Sequence, residues 1–204
     1  MCYYIKIIRL VSLLIMKINS AVFVKGVVGP DNDLEGGKDQ FAFIGRSNVG
    51  KSSVINYLTS KKDLAVTSSF PGRTQQINLF LINNSFYLID LPGYGYAKVP
   101  AQIRAKIKEL INWYFFVSTC EQNRVFLIID AEIGLTKDDL DILSKFEQYG
   151  KNVVVIANKI DKVKKSEYKT KMDKIIKLVG EHKIIPFSTK KKVGLHELLE
   201  ELKR

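Results

Sequence analysis

Gly45-Arg46-Ser47-Asn48-Val49-Gly50-Lys51-Ser52 decides the fold of this chain. It fits the pattern G-x-x-x-x-G-K-[ST], between an apolar run at Phe41–Gly45 and a helical pattern at Lys51–Leu58. A phosphate cradle needs that setting. The glycines let the backbone curl until its N–H groups point at phosphate oxygens. The helix N-terminus adds partial positive charge. In such a loop Lys51 neutralises the β- and γ-phosphates, and the Ser52 hydroxyl is a ligand for Mg²⁺. The motif alone selects neither adenine nor guanine, and neither kinase nor hydrolase.

Outward from this loop, short apolar runs alternate with helical patterns. Strands are expected near Ala21–Val28, Phe41–Gly45, Ile77–Ile82, Ser85–Asp90, Val125–Asp130, Val153–Asn158 and Ile184–Ser188. Helices fit Lys51–Leu58, Ala101–Val117, Lys137–Tyr149, Ser166–Val179 and Gly194–Lys203. Asn83-Asn84 suits a tight hairpin turn between the third and fourth strands. Runs such as Val125-Phe126-Leu127-Ile128-Ile129 are apolar throughout, as strands covered on both faces must be. The implied fold is α/β: a mostly parallel sheet with one antiparallel strand pair and helices on both faces. Pro30–Lys38 reads as an exposed loop. Trp113, Tyr114, Phe115 and Phe116 read as packing on the long helix.

The composition agrees with one such domain. The chain has 204 residues, 46% apolar and 26% charged, which excludes a disordered chain, a collagen and a multi-span membrane protein. Its only cysteines are Cys2 and Cys120, too few for a disulfide framework, so a reducing compartment is expected. The formal net charge of +11 favours a polyanionic partner. Residues 150–204 carry 15 Lys and Arg against 7 Asp and Glu, a net of +8. At the other end, Met1–Met16 is apolar but interrupted by Lys6 and Arg9, and its longest charge-free run, Leu10–Met16, is far short of the roughly 20 residues of a membrane span. Residues 1–15 are therefore expected to lie outside the domain, which spans 16–204.

Four further motifs fall at predicted strand ends or between elements. Asp90-Leu91-Pro92-Gly93 ends the fourth strand. Its Asp can hold Mg²⁺ through water, and the Gly93 N–H can sense a γ-phosphate. Asn158-Lys159-Ile160-Asp161 follows a fully apolar strand. A carboxylate at 161 accepts two hydrogen bonds from the N1–H and N2 amine of guanine, and adenine leaves it unpaired. Asn158 and Lys159 would brace the loop and stack on the base. Phe187-Ser188-Thr189 offers backbone N–H groups to guanine O6. Phe70-Pro71-Gly72-Arg73-Thr74-Gln75-Gln76 holds a threonine that could close over the nucleotide and complete the Mg²⁺ shell; Thr74 is the choice and Thr67 the alternative.

In this order the motifs resemble those of translation-factor-class GTPases. The strings from Gly45 to Ser53, from Pro71 to Gln75, and Asp90-Leu91-Pro92-Gly93-Tyr94-Gly95-Tyr96-Ala97 are similar to the EngB/YsxC family of bacterial ribosome-assembly GTPases. The resemblance covers residues 16–204. It implies a Ras-like P-loop GTPase fold, a monomer binding GTP or GDP with Mg²⁺, and GTP hydrolysis in the cytoplasm. It also implies action in large ribosomal subunit assembly, through that subunit or its rRNA, with cell division and septation depending on it. The nucleotide would be held by residues 45–52, Gly72–Gln76, Asp90–Gly93, Asn158–Asp161 and Phe187–Thr189, with Ser52 and Thr74 on the metal. Lys51, Asn48 and Thr74 are the expected catalytic set. Asn48 stands where related enzymes coordinate K⁺. Two departures are mild: Asn158 replaces a common Thr, and Ser188-Thr189-Lys190 replaces Ser-Ala-Lys.

Many GTPases place a Gln directly after D-x-x-G to orient the attacking water. Tyr94 stands there and cannot do so, which predicts slow intrinsic hydrolysis stimulated by K⁺ or by the ribosome. Two competing readings remain at this level. A membrane- or division-site-associated GTPase would use the apolar N-terminus and the basic C-terminal segment. A nucleoside kinase would share the phosphate loop but has no use for Asp161.

Overall fold

The computed structural model describes residues 16–65, 76–95 and 100–203. Residues 1–15 and the Thr67 and Phe70–Gln75 expectations lie outside them. Seven strands form one sheet: β1 (Ala21–Val27), β2 (Gln40–Gly45), β3 (Ile77–Ile82), β4 (Phe86–Asp90), β5 (Arg124–Asp130), β6 (Val153–Asn158) and β7 (Lys183–Pro186). Their order is β1-β3-β4-β2-β5-β6-β7. All neighbours are parallel except where β3 meets β4 and β1, so a single reversed strand separates β1 from the parallel block. Asn83 (φ 49°) and Asn84 (φ 57°) both sit in the left-handed region. That is the two-residue turn whose twist matches a hairpin.

Among the described residues six helices accompany the sheet: α1 (Asn32–Glu35), α2 (Lys51–Leu58), α3 (Ala101–Phe116), α4 (Lys137–Gln148), α5 (Lys165–Val179) and α6 (Leu195–Glu200). The period of two along β2 divides the interior. Ala42 and Ile44 join the core that Ile111, Phe146 and Ile175 of α3, α4 and α5 close. Phe41 and Phe43 join the core that Val54 and Ile55 of α2 and Leu198 of α6 close. There Phe43 and Phe126 lie 4.8 Å apart between ring centroids. Burying each such ring is worth about 1.5–3 kcal/mol, which is why the central strands tolerate no polar interruption. Tyr114 and Phe115 are core residues, and Trp113 and Phe116 are half-buried beside them.

The Pro30–Lys38 stretch differs from the loop expected. Asp31 caps one helical turn there, its side chain accepting from the Asp33 and Leu34 N–H groups, and Leu34 is fully buried. No described helix is long and apolar enough to cross a membrane. Met16 and Ile18 pack against the second core.

Candidate functional site

Because β2, β4, β5, β6 and β7 run the same way, their C-terminal ends share one rim of the sheet. That rim carries Gly45, Asp90, Asp130, Asn158 and Pro186. Ligands of parallel sheets bind there. The phosphate-type loop leaves β2 and enters α2 through Gly50, whose φ of 98° is left-handed. A Cβ on Gly50 would come within 2.5 Å of Asn158 Nδ2, so glycine is required on two grounds. Lys51 Nζ donates to the Gly45 carbonyl at 3.4 Å, which folds the ammonium back over the loop. Burial pulls the Lys51 pKa down, opposed by the nearby Asp90 carboxylate.

Asp90 is only 3% exposed. Burial pushes its pKa up from 3.8 to about 6, while Lys51 and a hydrogen bond from Ser52 pull it back. Asp90 Oδ1 is buried with no hydrogen-bond partner among the described residues. An orphaned carboxylate oxygen beside a serine hydroxyl and a lysine is costly in isolation. It is an all-oxygen donor set of the kind a hard divalent cation takes, directly or through water. Ser52 and Asp90 therefore fit Mg²⁺, which would supply charge neutralisation along a bound triphosphate.

The Asn158–Asp161 loop is tied to the phosphate loop. Asn158 Nδ2 donates to the Val49 carbonyl at 2.8 Å, buried. Lys159, in left-handed conformation (φ 63°), reaches the Asn48 carbonyl and pairs with Asp130 Oδ2 at 2.8 Å. Ile160 N–H bonds the Phe187 carbonyl, and Phe187 N–H bonds the Ala157 carbonyl, which joins this loop to the one after β7. Ser188 Oγ donates to Asp161 Oδ1 at 2.6 Å. That bond is the main cause holding the Asp161 carboxyl below its usual range. Ser188 thereby fixes the orientation of the Asp161 carboxyl at the rim.

The structure brings the phosphate loop, Asp90–Gly93, Asn158–Asp161 and Phe187–Thr189 onto one rim. Asn48 is exposed at its edge, with φ 66°. Gln76 does not join them: its side chain is exposed and bonds Asn78 at the start of β3. Two residues escaped the sequence reading. Asp130 anchors Lys159 and was legible only as a strand end. Asp139, fully buried, accepts from Thr136 N–H and from the Tyr94 hydroxyl; its place in a T-x-x-D capping pattern was the available signal.

A strand-loop-helix phosphate cradle, a carboxylate at the end of the neighbouring strand and an ionised base-reading carboxylate define the class: this is a P-loop GTPase fold. A family model described as "50S ribosome-binding GTPase" matches residues 40–159. The probable GTP-binding protein EngB of Desulforamulus reducens is 43% identical over 192 residues, 92% of this chain and 93% of that protein. Its counterpart in Clostridium perfringens (strain 13) is 41% identical over 191 residues, 92% and 96% of the two chains. The crystal structure of a probable GTP-binding protein EngB matches with a TM-score of 0.67 at 24% identity, covering 80% of this chain and 96% of that one. Era, in complex with MgGDPNP and nucleotides 1506–1542 of 16S ribosomal RNA, matches with a TM-score of 0.64 at 28% identity, covering 81% and 57%. The chain belongs to the EngB family of GTP-binding proteins, and its activity is GTP hydrolysis.

Proposed function

We propose that this GTPase acts in assembly of the large ribosomal subunit, in the cytoplasm and as a monomer, and that normal cell division and septation depend on that supply. Residues 16–204 form the working domain, with residues 1–15 outside it. The observation that carries the reading is an excess of exposed lysines in the two segments that follow the base-reading loops. Met172, Ile175 and Val179 turn inward on α5, which leaves Lys165, Lys169, Lys174 and Lys177 exposed, against the exposed acids Glu167 and Asp173. Lys190, Lys191 and Lys192 are exposed directly after Thr189. Such an excess suits phosphates of rRNA, and the description of the matching family points the same way.

In this reading Lys51 stabilises charge developing on the β- and γ-phosphates, and Asp161 selects guanine. Ser52 and Thr74 would hold Mg²⁺, with Asp90 able to reach it through water, and Gly72, Arg73 and Gln75 would contact the nucleotide beside Thr74. Tyr94 is no water-orienting group, so intrinsic turnover is slow. Asn48 is the residue for a stimulating K⁺, and equal turnover in K⁺ and Na⁺, unchanged by Asn48→Ala, removes that role. The deciding experiment sediments the protein with 30S, 50S and 70S particles and a non-hydrolysable GTP analogue across a salt series. Binding to 50S that weakens linearly in log salt is expected. Binding indifferent to salt, or absent from 50S, overturns the proposal.

A further inference from the structure

Asp139 serves three elements at once. Its Oδ1 accepts the Tyr94 hydroxyl at 2.7 Å. Its Oδ2 accepts the Thr136 N–H at 2.8 Å and the Thr136 hydroxyl at 2.7 Å, closing the N-terminus of α4. The same oxygen lies 3.2 Å from Arg46 Nε in the phosphate loop. Asp139 is fully buried, so these groups face it with little water to compete.

The backbone of Tyr94 is held as firmly as its side chain. Ser47 N–H donates to the Tyr94 carbonyl at 2.9 Å, and Arg46 and Tyr94 form a parallel bridge that extends β2 beside the D-x-x-G loop. Ser47 Oγ reaches the Gly93 carbonyl at 3.4 Å. A Cβ on Gly93 would meet Ser47 atoms at 2.9 Å, so the two backbones are in direct contact. On its other side the tyrosine borders a cleft of about 700 Å³ between α3 and α4, walled by Ile107, Ile111 and Ile142. The ring packs against the core on that side, and the hydroxyl bond to Asp139 ties it to the start of α4.

The geometry points to Tyr94 and Asp139 as positioning residues that hold the Gly93 backbone against Ser47, where a triphosphate extends and a diphosphate does not reach. The inference rests on the guanine-nucleotide reading of the site. Its consequence is selective: loosening the clasp weakens the contact with the terminal phosphate and leaves the grip on the first two unchanged. A purely structural role would weaken both nucleotides together.

The test uses the full chain with Mg²⁺, and compares GDP with a non-hydrolysable GTP analogue by calorimetry. Tyr94→Phe deletes only the hydroxyl. The expected result is a loss of about ten- to a hundredfold in affinity for the analogue, the range for one hydrogen bond to a charged group, with GDP affinity within twofold of wild type. Asp139→Asn keeps one oxygen, which can hold the Thr136 cap, and turns an NH2 toward the Tyr94 hydroxyl, which can only accept from it, so the clasp loses its charge but not its reach; it should show a smaller loss with the same selectivity, and it carries the test if Tyr94→Phe does not fold. Equal losses for both nucleotides, or none for either, overturn the inference. A wild-type chain that fails to prefer guanine to adenine nucleotides would instead overturn the reading on which it rests.

Discussion

Asp90→Asn isolates the cost of keeping an ionised carboxylate at the end of β4. The folded pKa of about 6 stands roughly two units above the ordinary 3.8, because burial outweighs the help from Lys51 and Ser52. Two units correspond to about 3 kcal/mol between the protonated and ionised forms. The folded state binds the proton more tightly than the unfolded state, so it takes up more protons between about pH 4 and pH 6. This contribution to stability is therefore full below pH 4 and is lost as the pH rises through 6. Asparagine matches the size, retains an acceptor for Ser52 and does not titrate. Without nucleotide or Mg²⁺, Asp90→Asn should equal wild type near pH 4 and exceed it by about 3 kcal/mol at pH 7. Urea denaturation of both proteins from pH 4 to pH 7.5, with chelator present, reads the difference directly. Parallel pH profiles would refute the account of Asp90 as an uncompensated buried anion. With Mg²⁺ and nucleotide the sign reverses, because the variant lacks the charge that the cation offsets.

Asp161→Ala should cut the preference for GTP over ATP by about ten- to a hundredfold, equivalent to about 1–3 kcal/mol, in competitive displacement of a fluorescent guanine nucleotide. An unchanged preference would show that guanine is read elsewhere. Asn158→Ala removes the donor to the buried Val49 carbonyl. It should lower unfolding stability by about 1–3 kcal/mol and weaken GDP and GTP alike, read by thermal melting and calorimetry. Thr136→Ala opens the cap of α4 and should cost about 1 kcal/mol of unfolding free energy, read from urea denaturation.

The central strands were legible because burial on both faces leaves an uninterrupted apolar run, and the hairpin because two adjacent asparagines mark a left-handed turn. Helix α1 was hidden by its brevity: one turn under an Asp31 cap has no period to detect, and its polar residues read as loop. The C-terminal helix ends at Glu200, before the Lys203 expected, because residues after it close as a turn. The rim itself was readable wherever glycines, lysines and carboxylates follow strands at fixed spacing. What joins those pieces was not. Tyr94 meets Asp139 across 45 positions, Lys159 meets Asp130 across 29, and Ser188 meets Asp161 across 27. Side chains that far apart in the chain leave no local pattern, and only the stacking of parallel strands puts them in reach.

Asn158 and Lys159 fasten the loop that reads the purine to the loop that grips the phosphates, at Val49 and Asn48. The two loops that meet the two ends of a bound nucleotide are therefore coupled to each other. A poorly matched ring strains the same backbone that grips its phosphates, so a wrong nucleotide is expelled by early departure rather than by slow arrival.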